Sequence, residues 1–156
     1  AGSYLRATGI EPSRYFVTPE DVTAMQWINA ELPPTAYFAV NTYFWLPRAP
    51  HGTDAGYWIP YFTGRRTTTG VMLNNLGPAA YQNEVVATSR AVKRVEEDIA
   101  ALDALRAAGI THVYLGAKGG NFAGPGLDRA ALIAAPDAQL VYESQNVAIF
   151  ALVPSE

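Results

Sequence analysis

Three apolar runs of strand length constrain this chain most: Tyr37 to Val40, Thr111 to Leu115 and Val147 to Val153. Each is too short for a core helix and is bounded by turn or capping signals, which is how a buried strand reads. Helical signals alternate with them. Thr18-Pro19-Glu20-Asp21 is a helix start, with a capping threonine, proline at the first helical position and two acids where the dipole favours them. Val22, Met25, Ile28 and Leu32 then recur at spacings of three and four until Pro33-Pro34 stops the helix. Beyond Pro78, Val85, Val92, Val95, Ile99 and Leu102 keep near-helical spacing, and Gly109 is the natural stop. Residues 81 to 107 are long for one helix, so a break near Ser89 is expected. Arg66 to Thr69 reads as a short strand, Gly116 to Gly126 as a glycine-rich loop, and Leu127 to Ala134 as a short helix. Gln139 to Glu143 and Val147 to Val153 form a pair turning at Gln145-Asn146. The pattern predicts an α/β fold: a mixed, mainly parallel central sheet flanked by helices, ending in an antiparallel β-hairpin. Residues 18 to 156 form one domain, residues 1 to 17 are an N-terminal extension or linker, and Ala1-Gly2-Ser3 reads as a cloning remnant on an excised fragment.

Composition narrows the function. Net charge is −3 and the eleven Lys and Arg are scattered, without the basic stripe that nucleic acid requires. There is no cysteine, which excludes disulfides, thiolate metal sites and a cysteine nucleophile. Two histidines, His51 and His112, lie too far apart in sequence to suggest a zinc site, so no metal is expected in this fragment. No apolar run approaches the roughly 18 residues of a membrane span. Charged residues are 16%, against about 25% in an ordinary globular domain, so part of the surface is expected to be covered.

The segment from about Asn41 to Thr63 is expected to be a loop, yet residues 37 to 62 carry nine of the eighteen aromatics. Loops normally stay polar, so this one must pack on its own domain, a neighbour or a ligand. Trp45 and Trp58 offer faces for sugar rings as well as ordinary packing. His51 and Asp54 are near enough in sequence for acid–base pairing, or for a loop tied by local hydrogen bonds. Arg65 and Arg66 could clamp a phosphate or carboxylate, pair with Asp54, or form a solvated edge. Lys118, Gly119, Gly120 and Asn121 lie between a strand and a helix, where an anion could sit on free amides. Their spacing matches neither dinucleotide nor P-loop patterns, and a plain connection uses glycines equally well. No nucleophile–base–acid set is readable, so no catalytic residue is assigned.

Met25-Gln26-Trp27-Ile28-Asn29-Ala30-Glu31-Leu32-Pro33, Asp54-Ala55-Gly56-Tyr57-Trp58-Ile59 and Gly64-Arg65-Arg66-Thr67-Thr68 carry a family resemblance. In order, they resemble the W-I/L-x-x-x-x-P, D-Y-G-Y-x-I and N-R-T-T phrases in the soluble C-terminal domain of GT-C membrane glycosyltransferases. The catalytic subunit of oligosaccharyltransferase is the nearest pattern. Gly52 and Thr53 stand where that family has two tryptophans that help recognise the acceptor sequon, so the resemblance does not reach that recognition. It implies an accessory domain on the extracytoplasmic face of the cytoplasmic membrane, not catalytic by itself. The partner would be the membrane-embedded portion of the same polypeptide, which would act on a lipid-linked sugar and an acceptor. A divalent metal, if used, would belong to that parent portion. Asp54, Tyr57, Trp58 and Arg66 would then shape the acceptor pocket. The alternatives left by the residues themselves are an independent α/β module for a small sugar or anion, and a structural interaction domain.

Overall fold

A computed structural model describes residues 16–70, 72–118 and 126–153. Strands β1 (Tyr37–Val40), β4 (Arg66–Thr67), β5 (His112–Leu115), β6 (Ala138–Glu143) and β7 (Ala148–Leu152) form one sheet in the order β4-β1-β5-β7-β6. β4, β1 and β5 are parallel; β7 runs antiparallel to β5 and to β6. The α/β reading and its closing hairpin hold. β2 (Thr42–Leu46) and β3 (Ala49–Gly52) make a separate antiparallel pair.

The alternation of each strand divides the core. Tyr37, Ala39, Val113, Leu115, Ala148 and Phe150 face helices α3 (Ala79–Arg94), α4 (Ala101–Ala107) and α5 (Arg129–Ala134), burying Val92, Leu102, Leu105 and Leu132. Phe38, Val40, Tyr114 and Ile149 face the other way, onto Ala24, Met25 and Ile28 of α1 (Pro19–Glu31) and Ile59 of α2 (Ile59–Thr63). The result is three layers, with the central strands β1 and β5 buried on both faces as a parallel centre requires. α1 starts as its sequence dictates: the Asp21 amide donates to Thr18 Oγ1, and Asp21 Oδ2 accepts from the Thr18 amide at 2.7 Å, a closed capping box.

Two expectations change. The helical stretch breaks at Val95–Ala100, not near Ser89. Asp98 accepts from the Ala100 amide and from Arg94, so it competes with the helix for the backbone there, whereas Ser89 is buried within α3. Gly109, at φ 83°, ends α4 as expected. The segment expected to be a loop is largely ordered into the β2–β3 hairpin, a 3-10 helix at Ala55–Trp58, and α2. It is bound back by Thr53 N–H to Asn41 O at 3.0 Å and Gly52 N–H to Gly70 O at 3.1 Å.

Candidate functional site

β1 and β5 end side by side, and two carboxylates hold the turn where β5 ends. Asp54 caps the 3-10 helix, its Oδ1 accepting from the Gly56 amide at 2.8 Å and its Oδ2 from the Gly116 amide at 3.1 Å. Asp21 Oδ1 accepts from the Ala117 amide at 3.0 Å and from the Tyr114 hydroxyl at 2.9 Å. Both side chains are fully buried, and a Cβ added to Gly116 would touch both, at 3.2 Å from Asp54 Cβ and 3.3 Å from Asp21 Oδ1. Burial pushes the Asp54 pKa up to about 6, against the pull of the Gly116 and Gly56 amides. Burial also drives the Tyr114 phenol far above its ordinary value, so it stays a donor to Asp21. With its oxygens turned into the fold, Asp54 serves as an anchor and presents no carboxylate to a ligand.

Gly56 completes this scaffold. A Cβ there would lie 2.6 Å from Val40 Cγ1 and 2.8 Å from Asp54 Oδ1, so only glycine lets the 3-10 helix press against the end of β1. Asn41, the residue after β1, accepts from the Leu127 amide at 2.9 Å and also hydrogen-bonds Asp54. One polar network therefore joins β1, β5, the 3-10 helix, α1 and the approach to α5.

The arginines separate. Arg65 is buried and donates to Leu32 O and Thr63 O at 2.7 Å each, and to Asn29 Oδ1. It closes the C-terminal end of α1, where carbonyls lack helical partners. Arg66 is exposed, pairs with Glu84 at 2.8 Å and lies 4.2 Å over the Tyr37 ring. Neither is paired with Asp54; Asp54 is taken up by backbone amides. Of the two alternatives for His51 and Asp54, the geometry matches a loop tied by local hydrogen bonds: Asp54 accepts from the Gly56 amide, the His51 ring bonds the Gly52 carbonyl, and that ring packs at a tilt against Tyr43 and Tyr57 at 5.6 and 5.9 Å. His112 is buried against Phe38, which lowers its pKa. Trp45 stands exposed on β2, outside the groove described next. Lys118 is exposed just after β5; Gly119, Gly120 and Asn121 lie outside the described residues.

The aromatic half of the Asp54-to-Ile59 phrase points outward. Tyr57 and Trp58, with Tyr61 of α2, form one side of a groove of about 380 Å³. Leu73 and Asn74, from the 3-10 helix Met72–Leu76, and Tyr81 from α3 form the rest. Trp58 meets Tyr61 edge-on at 5.8 Å, and Phe62 packs on both at 6.5 and 5.2 Å. Tyr61 is 78% exposed and Leu76 82%, unusual for side chains of this kind on a surface with no partner. Leu73, Asn74 and Tyr81 were not foreseen. The signal was present: from Ala55 to Asn83 the only charged residues are Arg65 and Arg66, one buried and one paired with Glu84.

Among the described residues no group of three His, Asp or Glu side chains is placed to hold a metal ion, and no helix is long and apolar enough to cross a membrane. Compared with family models, with curated proteins and with solved structures, the chain matches none.

Proposed function

We propose that this chain is an extracytoplasmic accessory domain of a polytopic membrane glycosyltransferase that uses a lipid-linked sugar, and that it is not catalytic alone. One observation supports this reading above others: an aromatic edge in which Trp58, from the phrase that resembles the GT-C pattern, stands with Tyr61, Phe62 and Leu73. An edge with rings, exposed leucines and no carboxylate suits a neighbouring membrane portion. Asp54, Gly56 and Arg65 take structural parts in that account, fixing the edge relative to the sheet. The reading therefore places recognition on the rings and not on Asp54.

The test is to read the coding sequence upstream of Ala1 and count spans of about 20 apolar residues. Many spans, with an acidic pair in an early loop, support the reading. A start codon or a lone signal peptide immediately upstream overturns it and leaves an independent α/β binding module.

A further inference from the structure

The groove beside Trp58 has a chemistry of its own. Its volume of about 380 Å³ falls in the range of small-ligand sites, and the aromatic rings of Tyr57, Trp58, Tyr61 and Tyr81 line it. Among the described residues no charged side chain lines it, so none of them would balance the charge of a phosphate, a carboxylate or an amine. The ligand that fits is neutral.

A wholly apolar ligand fits poorly, because of Asn74. This amide is only 8% exposed and lines the groove. Its Oδ1 accepts from the Tyr81 hydroxyl at 3.1 Å, and its Nδ2 donates to Thr69 Oγ1 at 3.2 Å. Those bonds use one lone pair and one N–H of an amide that has two of each. Tyr81 likewise spends its proton and keeps an acceptor oxygen. A ligand without hydroxyls would cover these atoms and leave them unmatched, which a buried polar site penalises strongly. Tyr81 is held in place: a Cβ on Gly77 would come within 2.5 Å of Tyr81 Cδ1, so its ring rests directly on that glycine.

Aromatic walls plus a small donor–acceptor pair match one common chemistry, a ring with an apolar C–H face and a hydroxyl rim. We infer that this groove is a binding site for a neutral pyranose ring, stacked on Trp58 with Tyr61 as a side wall and its hydroxyls bonded to Asn74 and Tyr81. The inference deepens the proposed reading by naming the group this edge would receive. It rests on that reading only for where the sugar comes from, because the groove's own residues define the ligand.

The experiment is an NMR titration of this chain with methyl glucoside, methyl galactoside, methyl mannoside and N-acetylglucosamine. The expected result is saturable amide shifts for at least one sugar, clustered at residues 57–61 and 73–81, with a Kd of about a millimolar. Trp58→Ala should weaken binding at least about tenfold, and Tyr81→Phe, which keeps the ring, about five- to tenfold. Trp58 and Tyr81 are partly exposed, at 37% and 42%, and unchanged spectra elsewhere in each variant confirm the fold. Silence with all four sugars overturns the inference, as do shifts that both variants leave intact. Saturation by choline or farnesol, with the sugars silent, also overturns it. Because free glycosides are used, the titration succeeds or fails whatever membrane spans precede the chain.

Discussion

At the scale of single residues, the Asp54-to-Trp58 phrase splits into a buried polar half and a displayed aromatic half. Asp54 spends its oxygens on Gly56 and Gly116, and this has a pH consequence. Its folded pKa, about 6, lies above its ordinary value of 3.8. A raised acid stabilises the fold fully below the lower value and loses that contribution as pH rises through the higher one. Wild-type stability, relative to Asp54→Asn, should therefore fall by roughly 2 kcal/mol between pH 4 and pH 7. Denaturant unfolding of both proteins across that range checks it; parallel stability curves would refute the assignment. Arg65 acts by hydrogen bonding to carbonyls that end α1. Arg65→Ala should cost about 2–4 kcal/mol, because buried acceptors lose a charged donor. Lysine should not restore it, since one ammonium cannot reproduce the guanidinium fork. Equal unfolding midpoints for wild type and Arg65→Lys would contradict this.

At the scale of elements, the parts with unambiguous periodicity were legible. The capping phrase at Thr18 gave α1, apolar runs gave β1, β5 and β7, and Gly109 marked the end of α4. The β2–β3 hairpin was not. Thr42 to Leu46 has strand-forming residues, but Pro47 follows at once and Pro50, inside the return strand, lacks a ladder donor. The pairing succeeds with a bulge between Phe44 and Leu46. Half the candidate site was visible as aromatic content around Trp58. The other half comes from α3 and the 3-10 helix before it, elements whose approach depends on tertiary packing and not on local pattern. The glycine in Asp54-Ala55-Gly56 tests how tightly these elements fit. Gly56→Ala should destabilise by about 1–3 kcal/mol through the clash with Val40. Calorimetry would show it as a lowered Tm, and an unchanged Tm would mean that the 3-10 helix can move off β1.

At the scale of the whole molecule, the sheet and its two helical layers hold one uncharged aromatic edge away from the core. Asp21, Asp54, Gly56 and Arg65 are tied into the fold, and on the proposed account recognition falls to Trp58, Tyr61, Leu73, Asn74 and Tyr81. The two sets should separate on mutation: changes in the first lower stability, and changes at Trp58, Tyr61 and Leu73, the exposed apolar members of the second, leave stability within about 0.5–1 kcal/mol. The most direct measurement is sugar transfer from the lipid-linked donor pool in membranes carrying the intact protein. Wild type would be compared with the Trp58→Ala, Tyr61→Ala double variant and with Ile133→Ala, an exposed apolar change on α5. The account predicts at least a tenfold loss of transfer for the double variant at equal protein level, and wild-type transfer for Ile133→Ala. Wild-type transfer by the double variant would contradict it, because the aromatic edge would then have no part in function.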